Sequence, residues 1–368
     1  MAEEEAHDPP TQDEAPDGRP RDRDVCDAPL RPDACRVVAG PRELSSEYRT
    51  FPDLAWSGSR FLVVSSAAPG TELLVLTRDG AIVRREGLGP ARLFPRIVMN
   101  ESLGVAVATS GSGVHWIRSD GMVIGEATWN DDGTDHVDVA ATSDGFVLLA
   151  GGALGRCCED RRPLGLVRLA ASPAPLRWES TDPGGPDLSV SDFAGGDGLA
   201  RWLGWSVADG NPTQAGTARA DGMPAGSGSI TDPALAETLG VEAVGDTFWI
   251  LRKTCDGAHA WLERPGSAGF MSCSGWEGAG SLVSLGDALV CVRSCWPPDD
   301  DDGIALQALD ERSGQPVGPR IPIDKRGGTL LRATRTPRGL AAVWTRVVAG
   351  PVHVRQVAVF AAVDCCPQ

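Results

Sequence analysis

Lysine and tyrosine are almost missing from this chain. Lys253 and Lys325 are its two lysines and Tyr48 its one tyrosine, so the basic charge is nearly all arginine, which reads as the bias of a high-GC genome rather than as function. The balance is acidic, −16 overall, with no stripe of clustered Lys and Arg to displace counterions from a phosphate backbone. A nucleic-acid partner is excluded on that ground. No apolar run approaches the roughly 18 to 20 residues that span a bilayer, and the first thirty residues lack the basic and apolar segments of an export signal. Amphipathic helices are lacking as well. The best attempt, Asp232 to Leu239, makes at most one or two turns.

What is present points to strands. Forty-five Gly, 28 Pro and many short Val-rich apolar stretches are the pattern of an all-β chain with tight turns. There are also ten cysteines, most in loops or near the chain ends. No CxxC pair has zinc-ribbon spacing and the five His lie far apart, so disulfides explain the cysteines better than a metal framework does. Disulfides belong to an oxidising, extracytoplasmic compartment, which conflicts with the missing signal. A start upstream of Met1, carrying a secretion or lipoprotein signal, reconciles the two, and a lipid-anchored form would follow from it.

Residues 1–35 hold eleven Asp or Glu against four Arg and almost no large apolar side chain, too little burial to offset the entropy of ordering. They are expected to be a disordered acidic leader, either a spacer from a membrane surface or an inert solubilising tail. From Leu54 onward a unit recurs: a short strand, a turn with glycine, then an apolar strand. Its seven copies lie at 56–64, 101–108, 143–150, 196–203, 245–251, 286–292 and 338–344. Their turn glycines are Gly58, Gly104, Gly145, Gly198, Gly245, Gly286 and Gly339, spaced 41 to 53 residues apart. Each apolar strand is followed by a further pair, often joined by a two-residue turn suited to hairpin twist, as at Asp79-Gly80 and Asp120-Gly121. A full unit is thus four antiparallel strands, a to d.

The last unit supplies only three strands, Leu330 to Thr334, Leu340 to Thr345 and Val352 to Phe360. An unused strand, Cys35 to Leu44, precedes the first unit, and its expected place is the outer edge of the last. This arrangement resembles the seven-bladed β-propeller superfamily, with four-stranded antiparallel blades over residues 36–364 and a tail, 365–368, that carries a cysteine pair. The resemblance is one of architecture. WD40, kelch and complete sialidase-type boxes are absent, the fragment Asn130 to Asp135 lacking the required Trp. A closure of this kind implies that Cys26 and Cys35 meet Cys365 and Cys366, tying the chain ends with an upper-end stabilisation of about 4 to 5 kcal/mol. The remaining candidates for bridging are Cys157, Cys158, Cys255, Cys273, Cys291 and Cys295. Cys255 with Cys273 and Cys291 with Cys295 are the local options, and adjacent Cys157 and Cys158 could form a vicinal ring of the kind quinone-dependent alcohol dehydrogenases carry.

In a propeller the b–c and d–a loops surround one mouth of the central channel. The longest loops here are of these kinds, and they present Trp129 and Trp296 as candidate ligand-stacking groups. One holds Asp299, Asp300, Asp301 and Asp302, read as a solvated acidic loop with Ca²⁺ binding as the alternative. Arg96, Asp138, Asp192, Glu242 and Arg332 lie on or beside the innermost strands, where a mixed ring could orient a small polar ligand or merely line water. No nucleophile-elbow sequence appears, and Tyr48 precedes the first unit. The expectation is a monomeric, non-catalytic extracytoplasmic binding or scaffold propeller with a protein or glycan ligand and no cofactor. A carbohydrate-directed or other hydrolase or lyase at the channel mouth is one alternative, and a cytoplasmic adaptor with free thiols is another.

Overall fold

The structure, a computed structural model, describes residues 25–26, 28–44, 52–67, 69–92, 94–128, 136–142, 144–151, 165–176, 188–196, 199–206, 212–219, 224–229, 236–244, 247–254, 260–264, 267–268, 279–285, 288–294, 303–310, 314–349 and 354–367. At Asp138, Asp192 and most other positions of the middle strands the description covers the backbone alone. Apart from a 3-10 turn at Pro32–Ala34, every regular element among these residues is a strand. The chain opens with β1 (Arg36–Glu43). Sheet one then holds β2 (Asp53–Trp56), β3 (Phe61–Ala67), β4 (Gly70–Leu76) and β5 (Ile82–Pro90), and sheet two holds β6 (Ile97–Asn100), β7 (Val105–Thr109), β8 (Gly113–Arg118) and β9 (Val123–Thr128). Sheet three contains β10 (His136–Ala141), β11 (Gly145–Gly151) and β12 (Gly165–Ala170), three strands among the described residues. Sheet four runs β13 (Leu188–Gly196), β14 (Leu199–Ser206), β15 (Pro212–Arg219) and β16 (Pro224–Ser229). Sheet five runs β17 (Ala236–Val244), β18 (Thr247–Thr254), β19 (Ala260–Arg264) and β20 (Ser267–Ala268). Sheet six is β21 (Ala279–Leu285), β22 (Ala288–Ser294), β23 (Ile304–Leu309) and β24 (Pro316–Asp324). Sheet seven is β25 (Thr329–Thr336), β26 (Gly339–Ala349) and β27 (Val354–Asp364), with β1 as its fourth strand.

The segment singled out as an outer strand therefore pairs antiparallel with β27, Arg36 opposite Asp364 and Glu43 opposite Val359. Of Asp232 to Leu239, the best of the weak helix patterns, the described part from Ala236 onward is strand. That stretch is the start of β17 and pairs with β18, Glu237 opposite Lys253. Ladder pairing and burial against neighbouring sheets outweigh the modest helix propensity of Ala and Glu.

Each first strand (β2, β6, β10, β13, β17, β21, β25) lies against the first strands of the sheets before and after it, β25 against β2 included. The apolar residues pack in layers between consecutive sheets. On β26, Leu340, Ala342 and Trp344 face Val290, Val292 and Leu306 of sheet six, while Ala341 and Val343 face Leu54, Trp56 and Val63 of sheet one. On β3, Phe61 and Val63 belong to that same layer, whereas Leu62 and Val64 pack with Ile97 and Ala106 of sheet two. Burial of both faces is why the second strands read as unbroken apolar runs instead of alternating ones. The outer strands are different: β5 is mostly exposed along its length.

Hairpin turns also key into neighbours. Gly121 turns with φ of +86°, and a Cβ there would stand 2.3 Å from Val75 of sheet one. Gly80, φ +78°, presses in the same way on the ring of Phe360. Only glycine meets both the left-handed backbone and the close approach. Phe360, fully buried, also stacks against Phe61 with ring centroids 4.9 Å apart. Phe360→Ala empties the layer between the last sheet and the first and is expected to cost about 3–5 kcal/mol. Denaturant unfolding of the purified variant measures it, and a loss under 1 kcal/mol (roughly a single methylene's worth) contradicts the packing described.

Candidate functional site

Hydrophobic layers hold the sheets face to face, and polar side chains stitch their first strands in one direction. Asp53 Oδ2 accepts the N–H of Ile97 at 2.9 Å, Glu242 Oε1 that of Ser284 at 3.0 Å, and Ser281 Oγ that of Ala333 at 3.0 Å. Asn100 Nδ2 donates to the carbonyls of Thr142 (2.7 Å) and Gly145 (3.0 Å). In each case a side chain of one sheet satisfies backbone of the next in chain order, so these bonds also fix the spacing between neighbouring first strands.

One end of the sheets carries more polar and strained groups than stitching needs. It is the end where second strands finish and first strands begin. There Ser66 Oγ accepts the N–H of Arg92 (3.0 Å) and Ser294 Oγ that of Gly328 (3.3 Å), the same device in sheets one and six. Four buried guanidinium side chains share this end: Arg92 (6% exposed), Arg96 (8%), Arg293 (6%) and Arg346 (4%). Arg92 Nη1 reaches the carbonyl of Ser110 at 3.3 Å, and Arg346 bonds both the buried Asp324 carboxylate and Glu43 of β1 (3.3 Å). Burying such charges requires partners, and each of the four has them. Two non-glycine residues there adopt left-handed backbone, Phe94 (φ +58°) just ahead of β6 and Leu330 (φ +53°) at the start of β25. Such conformations cost of order 1–3 kcal/mol each and gather at ligand sites.

Of the residues named from the sequence, Arg96 immediately precedes β6, and Arg332 lies half-buried on β25 opposite Val343. Glu242 lies on β17 in the stitching role given above. Asp138 is on β10 opposite Leu149 and Asp192 on β13 opposite Leu203. Trp129, Trp296, Asp299 to Asp302, Cys157, Cys158, Cys255, Cys273 and Cys295 lie outside the described residues.

The four end cysteines do meet. Cys26 bonds Cys366 and Cys35 bonds Cys365, so two disulfides tie the segment ahead of β1 to the end of β27. Cys291, by contrast, is a free thiol, which corrects its candidacy as a bridging residue. It sits mid-strand in β22, packed with Trp249, Leu282 and Leu309, where strand phase turns it into the layer between sheets five and six. Burial pushes its thiol up to about 12, so it is inert.

A buried polar chain escaped the sequence reading. Ser110 Oγ lies 2.8 Å from His115 Nε2 and 3.0 Å from Ser112 Oγ, and His115 Nδ1 is 3.7 Å from Glu126 Oε2. The order Ser, His, acid is that of a hydrolase relay, yet Ser110 is completely buried and a carbonyl cannot reach its Oγ. The chain braces the β7–β8 turn. Register could have revealed it, since His115 and Glu126 are directly opposed on β8 and β9. Desolvation lowers the His115 pKa from 6.5, with Glu126 pulling the other way. The neutral ring is thus favoured by folding, and its stabilisation is full above about pH 6.5 and lost as pH falls through the lower folded value. His115→Gln should flatten the decline in stability between about pH 7 and 5. Melting curves across that range would refute this if variant and parent decline alike.

No protein-family model matches the chain, and no curated protein is similar to it. Solved structures are similar in fold. The β-propeller domain of Myceliophteria thermophila Cps50 (Swd1) aligns with a TM-score of 0.52 at 8% identity, over 87% of this chain and 98% of its own. The WD40 domain of Neurospora crassa Pan2 aligns with a TM-score of 0.52 at 9% identity, over 90% of this chain and 96% of its own. The architecture is that of a β-propeller.

Proposed function

We propose that this chain is a seven-bladed propeller of an oxidising, extracytoplasmic compartment, closed by β1 and its disulfides, that binds a polar ligand of protein or glycan type without transforming it. The observation that carries the binding role is the gathering at one end of the buried, partnered Arg92, Arg96, Arg293 and Arg346 with the left-handed Phe94 and Leu330. Phe94 and Leu330 flank β2 from the sheets on either side. The proposed ligand site is the mouth at this end, with Arg96 ahead of β6 and Arg332 on β25 as candidate polar contacts and Trp129 and Trp296 as candidate stacking groups. Asp138 on β10 and Asp192 on β13 are further candidates, and Asp299 to Asp302 are read as a solvated acidic loop. Propellers offer such a mouth whatever their ligand.

The compartment rests on the two disulfides, since reducing cytosol does not maintain such bonds. No helix among the described residues is long and apolar enough to cross a membrane. The test is a glycan array and a cross-linking capture from extracytoplasmic extract, with Arg96→Ala, Arg332→Ala and the rim control Arg320→Ala. Capture should fall about tenfold or more in the first two, the loss of one charge-assisted bond, and persist in the control. Equal capture by all variants overturns the site, and turnover of a captured glycan moves the reading to a hydrolase. Alkylation of intact cells separately checks the compartment: the four end cysteines should resist it until reductant is added.

A further inference from the structure

Two disulfides share the same few residues of chain but occupy different surroundings. Cys365 is completely buried and Cys35 is 8% exposed, both inside the apolar layer with Leu331, Leu340 and Val363. Backbone straps hold Cys365 from both sides: its N–H donates to the Arg338 carbonyl at 2.6 Å and its own carbonyl accepts the N–H of Arg31 at 3.0 Å. Gly339 packs directly against the bridge, for a Cβ there would stand 3.2 Å from Cys365 Sγ and 2.2 Å from the Val363 carbonyl. Burial of both cysteines leaves a dissolved thiolate little access to either sulfur. Cys26 and Cys366 are half-buried and lie beyond the strand ladders, their sulfurs near the carbonyls of Pro337 (3.7 Å) and Arg338 (3.9 Å) in the β25–β26 turn.

We infer that Cys26–Cys366 is a thiol-exchange site for an extracytoplasmic dithiol, while Cys35–Cys365 is a closed structural bridge. One thiolate of the dithiol attacks a sulfur of the outer bridge, and the bond between Cys26 and Cys366 breaks. The departing sulfur leaves as thiolate and takes a proton. The second thiol of the reductant then displaces the other cysteine from the mixed disulfide, so two electrons pass to the bridge and the dithiol becomes a disulfide. Residues 1–30 lose their covalent tie to the C-terminus. The pairing of β1 with β27 and the inner bridge remain, so sheet seven keeps its fourth strand.

This goes beyond the ligand-binding reading and is tested on purified, fully oxidised chain, so failure of the compartment assignment in cells stays distinguishable. The chain is treated under native conditions with graded dithiothreitol, quenched with iodoacetamide at intervals and mapped by peptide mass, with amide exchange of β1 followed in parallel. Cys26 and Cys366 should be labelled about tenfold sooner than Cys35 and Cys365, or more, access being what separates the two bridges. Protection of β1 should be unchanged while only the outer pair is open. Simultaneous labelling of all four, earlier labelling of the inner pair, or loss of β1 protection with the first labels overturns the inference. Cys26→Ser supplies a second measurement: the inner bridge should still form and should be labelled at its wild-type rate.

Discussion

Sheets one, two, six and seven each have two apolar faces among the described residues, and each must be covered. A two-layer domain covers one face of each sheet and leaves the other to water. Here the layers lie between successive sheets, so the structure depends on the first sheet and the last covering each other. Leu54, Trp56 and Phe61 from one and Val343, Ala358 and Phe360 from the other form that layer. Like the layers between sheets adjacent in sequence, it is built of buried apolar side chains.

The seam is reinforced where an opening would start. β1 takes the outer position beside β27, so the strand most distant in sequence from its partner lies at the edge that fraying would expose. Arg346 joins Asp324 of β24 to Glu43 of β1, coupling sheet six to the N-terminal strand through sheet seven. The disulfides act on the unfolded state, shortening the freedom of more than 300 residues of chain. Packing, pairing, an ion pair and covalent ties therefore converge on one place.

The mouth of the same molecule follows a different logic. Ser66 and Ser294 perform a structural task that recurs between sheets, and a hydroxyl is enough for it. The left-handed Phe94 and Leu330 are not needed for that task. Their cost, on the order of 1–3 kcal/mol each, is offset by the apolar layers between the sheets.

Much of the fold was legible because burial on both faces leaves a plain mark: runs such as Phe61 to Val64 and Leu340 to Trp344 recur at near-constant spacing, each after a turn glycine. The spare strand Cys35 to Leu44 and the paired terminal cysteines were legible by the same counting. Where the sequence alone failed, a side chain's meaning depended on strand phase or on a partner far along the chain. Cys291 looked available for bridging until the phase of β22 turned it inward, and Ala236 to Leu239, a weak helix pattern at best, is fixed as strand by its pairing with β18. Ser110, His115 and Glu126 are common residues whose meeting rests on the register of three strands. Periodicity along one chain is thus set locally, by which faces of a strand are buried. Convergence of polar groups at the mouth and seam is decided by register and by the packing of sheet on sheet, which only the tertiary structure contains.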